Sequence, residues 1–219
     1  MKTLQPEPAV NGVPLATDRT DGETLRQALA QYLADNGFGA DGGYDDAWVD
    51  FELGPLPLPF PNSAGRKRAV RLHDLHHILT GYKTDTLGEF EISAWEVGAG
   101  CGDFYTALAI NMSGMATGVV AAPRRTFRAF RRGQASRTLY GETYQHVLEE
   151  EVVRARAAHV NEPEGDATLT QLATFVALAI LGAVVGLAGA VVLLPFVPVG
   201  LVNVLRKRRA KAATGLTPA

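Results

Sequence analysis

At 219 residues, with 47% hydrophobic and 20% charged, the chain has apolar material for one packed domain plus an appendage, which excludes general disorder. A formal net charge of −2 excludes a protein built mainly to coat nucleic acid. Cys101 is the only cysteine, so an intrachain disulfide and a thiolate zinc site are both excluded, and any zinc must take nitrogen and oxygen ligands.

Residues 1–22 are polar, broken by Pro6, Pro8, Gly12 and Pro14, and read as a flexible tail without a secretory signal. Leu25, Ala28, Leu29 and Leu33 recur at helical spacing and predict a short amphipathic helix that Asn36-Gly37 stops. Pro55, Pro57, Pro59 and Pro61 alternate with Leu56, Leu58 and Phe60, an extended polyproline-like connector. Asn62 or Ser63 caps a helix over roughly residues 64–80, which Gly81 terminates, and Gly88 opens another through about Val97. Residues 104–122 are apolar and end at Pro123. There follows a cluster of Arg124, Arg125, Arg128, Arg131, Arg132 and Arg137 interleaved with Phe127 and Phe130, which suits either anionic headgroups or a solvated helix face. Leu139, Tyr140, Tyr144, Val147, Leu148 and Val152 predict a helix over residues 138–160, with a hinge at 161–165. No internal repeat and no clear strand alternation is found. The expected class is all-α, with residues 23–163 as the helical domain.

From Leu172 to Leu205 only Thr174 and Asn203 interrupt an uncharged apolar run. A bilayer core needs about 20 such residues, so residues 168–205 are expected to be a transmembrane or membrane-embedded segment, with 206–219 as a basic tail. Gly182 and Gly186 form a small-xxx-small pair suited to close helix contact. Pro195 and Pro198 favour one span over roughly 172–194. The basic tail and the arginine cluster both call for the cytoplasmic side, which a tight hairpin or a run within one leaflet would reconcile. The expected location is the inner cell membrane, with the main domain on its cytoplasmic face.

Chemistry concentrates in one segment. On a helix, His73 and His77 stand one turn apart on one face, and two imidazoles at that spacing can grip one ion. Asp74, one residue round, supplies an oxygen or orients a histidine, and Glu89 returns beyond the Gly81 and Gly88 breaks as an opposing ligand. This set suits Zn2+, and Fe2+ or Mn2+ would accept it as well. His76 points elsewhere and is read as structural or as a donor to substrate. Glu96, seven residues after Glu89, is read as a catalytic base or as a partner for an arginine. P-loop and dinucleotide fingerprints are both absent.

His73-Asp74-x-x-His77, eleven residues from Ile78 to Gly88, then Glu89, resembles the H-D-x-x-H, eleven residues, E pattern of the ubiquinone (coenzyme Q) biosynthesis protein 4 family. Gly81, Leu87-Gly88 and Trp95-Glu96 add to the likeness, which is clearest over about residues 44–105 and extends to about 160. The resemblance implies a helical metal- and lipid-binding domain with His73, Asp74, His77 and Glu89 on the metal. It also implies association with membranes, with a prenylated quinone precursor or other isoprenoid lipid, and with other quinone-biosynthesis proteins; a homo-oligomer is compatible with it. The implied role is replacement of the ring C1 carboxyl of a polyprenyl-hydroxybenzoate by hydroxyl, or a non-catalytic scaffold that organises the pathway. The long apolar C-terminal run departs from the mitochondrial members and leaves the exact substrate open. Met112 and Met115 would line a prenyl groove or simply fill the core. A third reading, a His-Asp phosphohydrolase, would need further ligands, for which His146 and His159 are available.

Overall fold

The computed structural model describes residues 22–49, 52–53, 56–57 and 59–202. Most of the expected N-terminal tail and all of the expected basic tail lie outside the described residues.

Helix α1 (Leu25–Asp35) starts at a capping box in which the Thr24 hydroxyl accepts from the Gln27 amide and the Gln27 side chain answers the Thr24 amide. The expected polyproline-like connector is extended, but it is paired. Strand β1 (Trp48–Val49) runs antiparallel to β4 (Phe60–Pro61), and β2 (Glu52–Leu53) to β3 (Leu56–Pro57). This corrects the expectation of no strands. Each ladder is only two residues long, as expected where prolines remove backbone donors.

Helix α2 (Ala64–Thr80) is capped by the Ser63 hydroxyl and ends on Gly81 at φ 76°, a left-handed turn natural to glycine. Helix α3 (Thr86–Ala99) begins two residues before Gly88, because the Asp85 carboxylate accepts from the Gly88 amide at 2.8 Å. Helices α4 (Tyr105–Ala121) and α5 (Pro123–Gln134) meet at Pro123, which sits where a helix has no use for its missing N–H.

The single helix expected over 138–160 is instead α6 (Tyr144–Val147) and α7 (Val152–His159). Its first residues serve the interior. The Leu139 amide donates to His76 Nε2 at 2.8 Å, and the Thr138 hydroxyl to the Gly100 carbonyl at 2.6 Å. Further on, the Leu25 amide takes the Glu150 carbonyl and the Val152 amide the Glu23 carbonyl, which seats α1 on α7.

Helix α3 packs on α4 and α5. The α3–α5 crossing is close because glycines make it: a Cβ on Gly133 would stand 2.1 Å from the Trp95 carbonyl oxygen, and one on Gly98 2.3 Å from that of Phe130. One apolar cluster joins α1, α2 and α7 through Leu25, Leu75, Leu79 and Val152. A second joins α3, α4 and α5 through Trp95, Met115 and Phe130.

Helix α8 (Leu169–Leu193), with its own Thr168–Gln171 capping box, passes into a 3-10 turn at Leu194–Phe196. The helical stretch Leu169–Val202 is long and apolar enough to cross a membrane, and little of it is buried. Phe175 and Ala179 enter the second cluster, where Met112 and Met115 are buried core residues.

Candidate metal centre

The cap at Ser63 and the reversal at Gly81 carry α2 past the start of α3, so that three side chains converge. His73 Nε2 lies 3.2 Å from His77 Nε2 and 3.5 Å from Glu89 Oε2, and His77 Nε2 lies 3.3 Å from Glu89 Oε1. His77 is buried, whereas the Glu89 side chain is 44% exposed, so the group is walled on one side and open on the other.

The hydrogen-bond partners behind the rings fix where the protons are. His77 Nδ1 is 2.9 Å from the Tyr82 carbonyl, which can only accept, so Nδ1 carries a proton and Nε2 is the nitrogen that turns toward His73 and Glu89. His76 Nε2 accepts the Leu139 amide, so its proton is on Nδ1, donated to Glu96 at 2.7 Å. His73 Nδ1 stands 2.8 Å from the same Glu96 oxygen. The second oxygen accepts from the Tyr140 hydroxyl at 2.6 Å and from the Asn111 amide.

Glu96 is fully buried. Burial opposes its ionisation, but His73 and His76 outweigh it and hold its pKa well below the usual carboxylate range. As an anion it accepts four donors, and His73 is thereby a donor at Nδ1 with its Nε2 turned toward His77 and Glu89. Burial also disfavours a charged His73, but Glu96 and Glu89 override it and raise its pKa well above the ordinary imidazole value. Burial keeps His76 below that value. Glu89 is likewise pulled down against its burial by hydrogen bonds from His73 and His77.

In the metal-free chain a proton at the Nε2 atoms supplies the donor to Glu89; once it is gone, two nitrogen lone pairs and a carboxylate face one another. Such a group calls for a cation. Tetrahedral donors at about 2.0–2.1 Å from zinc stand about 3.3 Å apart, against 3.2, 3.3 and 3.5 Å here. The residues fit a divalent metal by donor chemistry and by spacing. A carboxylate on one imidazole and a backbone carbonyl on the other are the usual outer supports of ligating histidines.

The other expected site residues lie outside this trio. Asp74 is buried, with Oδ2 accepting from the Tyr44 hydroxyl at 2.5 Å and Oδ1 facing the Tyr32 hydroxyl at 3.5 Å. The Tyr32 ring stacks on His77 at 5.9 Å, so Asp74 holds part of the wall beside that ligand. Glu96 stands behind His73, not beside the converging atoms. His146 is exposed, and His159 bonds the Arg137 carbonyl, so neither joins the group.

Sequence reasoning missed Tyr32, Tyr44, Tyr140 and Asn111. Asn111 carried a signal, a lone amide inside an otherwise apolar stretch. No family model, curated protein or solved structure matches this chain.

Proposed function

We propose that this protein binds one divalent metal, zinc or else Fe2+ or Mn2+, through His73, His77 and Glu89 with Asp74 in support, and acts at a membrane in ubiquinone (coenzyme Q) biosynthesis. The reading is that of the ubiquinone biosynthesis protein 4 family: loss of the C1 carboxyl of a polyprenyl-hydroxybenzoate. The observation that carries it is the convergence of two Nε2 atoms and a half-exposed carboxylate, with both Nδ1 protons already committed. When bound, the metal supplies a Lewis acid for a carboxylate or phenolate oxygen and steadies charge as carbon dioxide leaves. Three protein ligands leave a fourth tetrahedral place, the mark of a catalytic rather than a structural site.

His73 and His77 bind, and Glu96 and the Tyr82 carbonyl hold their rings in the productive tautomer. Glu96 is therefore a positioning residue. The C–C electron pair stays on the ring when carbon dioxide departs, and the incoming hydroxyl requires one oxygen atom of dioxygen, the other leaving as water with two protons and two electrons from an external two-electron reductant. Substrate would reach the centre from the Glu89 side, with its prenyl tail in the membrane that receives α8. A main domain on the cytoplasmic face of the inner membrane is the reading favoured by the arginine cluster at 124–137 together with the basic sequence at 206–211.

One observation favours the scaffold reading. Glu96, expected to move a proton, has both oxygens engaged by four donors. Metabolites of a deletion strain rescued with wild type or with Glu89→Ala separate the two. A carboxylated prenyl-phenol accumulating with Glu89→Ala supports the enzyme. Loss of all late intermediates, with the pathway's enzymes unstable, supports the scaffold. Full rescue by Glu89→Ala, or purified protein without metal, refutes both.

A further inference from the structure

Helix α8 touches the domain at its start, middle and end. Near its start Gln171 accepts from Arg131 Nε at 3.3 Å, and the Phe175 ring lies 5.1 and 5.4 Å from Phe127 and Phe130 of α5. In its middle, a Cβ on Gly182 would stand 2.1 Å from the Met112 carbonyl oxygen and one on Gly186 3.2 Å from Ser113, both on α4. Beyond its end the Phe196 ring lies 6.1 Å from Trp48 of β1. A helix of this length extends about 37 Å, so the domain follows it over the full thickness of a hydrocarbon core of about 30 Å.

A spanning α8 would therefore drag the domain through the bilayer. Charged pairs stand near both ends: Arg132–Glu162 by the start, and Arg71–Asp45 near Trp48. A third, Arg125–Glu91, joins α5 to α3. Carrying such groups into hydrocarbon is costly. A hairpin is not an alternative, since α8 is one unbroken helix.

The two faces of α8 fit another placement. Phe175, Ala179, Gly182 and Gly186 recur at helical spacing on the face packed against the domain. Leu172, Val176, Ile180, Val184, Leu187 and Val191 are exposed and form a stripe down the other. Arg124 and Arg128 of α5 are exposed on one flank of Phe127, which touches Phe175, and phosphates would meet them there.

We propose that α8 is an in-plane anchor: it lies along one leaflet of an anionic membrane with its Val176–Val191 stripe in the acyl chains, and both ends stay on the domain's side. This rests on the membrane reading above. The full chain, in vesicles of phosphatidylcholine and phosphatidylglycerol, is spin-labelled one site at a time at Val176→Cys, Val184→Cys and Val191→Cys. Cys101, 3% exposed, stays out of reach of the label. Depth is read from oxygen and nickel-chelate relaxation. An in-plane helix gives three similar, shallow depths. A span over roughly 172–194 puts position 184 deeper than 176 and 191 by about 10 Å, from the 1.5 Å rise per residue, and that result overturns the proposal while leaving membrane binding intact. Protein that stays in the supernatant overturns the membrane reading and this one together.

Discussion

Glu96→Gln separates the charge of the buried carboxylate from its shape. Gln keeps one carbonyl oxygen, which can stay on the Nδ1 protons of His73 and His76. Its amide then faces Tyr140 and Asn111, and both can turn to accept. The network survives as a neutral one. Four charge-assisted hydrogen bonds become ordinary ones, each weaker by roughly 1 kcal/mol, an upper bound of about 4 kcal/mol. Release from burying a charge offsets part of that. Glu96→Ala, by contrast, leaves four buried donors unmatched and should fail to fold stably. For the metal, loss of an anionic support behind a ligating imidazole costs 10–100-fold in affinity, about 1.4–2.8 kcal/mol at 1.4 kcal/mol per decade. The assay is chelator-competition titration of purified Glu96→Gln beside wild type, with thermal unfolding of each metal-free form as the control for folding. A folded Glu96→Gln chain with wild-type metal affinity would refute the role assigned to this carboxylate.

Glu89→Gln should show the opposite balance, because the side chain is 44% exposed: a cost to the metal-free protein of about 1 kcal/mol from weaker contacts with His73 and His77, but no stoichiometric metal by elemental analysis. Retained metal would remove Glu89 from the ligand set. Burial, reinforced by Glu96, pushes the Cys101 thiol up to about 12, so the folded state binds a proton that the unfolded state releases near the ordinary thiol pKa of about 8.5. Its contribution is present below that pH and lost as pH rises toward 12. Alkylation at pH 8 should be slow in the native chain and fast in denaturant; equal rates would contradict the burial. Gly182→Leu forces a side chain onto the Met112 carbonyl and should destabilise by about 1–3 kcal/mol or more, measured by thermal unfolding in detergent, whereas Gly189→Leu, with nothing within 4 Å, should not. Equal melting of the two variants would argue against the α4–α8 contact.

What was legible in the sequence was what short-range chemistry dictates. Helices α2 and α8 fall near their expected bounds because caps and terminators are local: Ser63, Gly81 and the Thr168 box each act within a few residues. His73, His77 and Glu89 were legible for the same reason, one helical turn plus one glycine reversal. The helix expected at 138–160 failed because Leu139 and Tyr140 answer partners 63 and 44 residues away, which no local period records. Asp74 and Glu96 were visible as residues but not as geometry. A step of one residue turns a side chain about 100° round a helix, enough to send Asp74 to Tyr44.

Helix α3 packs mainly on α4 and α5, and α2 touches it little. The candidate ligands nevertheless come from α2 and α3, so their alignment depends on a bracket between the two. Glu96 is that bracket: from α3 it takes His73 and His76 of α2, Asn111 of α4 and Tyr140 before α6. Asn111 in turn precedes Met112, whose carbonyl receives the bare face of Gly182. One helix, α4, thus carries both the amide that steadies the bracket and the surface on which α8 lies. A shift of α8 that displaces α4 must move Asn111 relative to Glu96, and through Glu96 the ring of His73. The His73–His77–Glu89 group and the apolar helix are thus two ends of one packed assembly, so the proposed membrane anchor and the proposed metal site would move together.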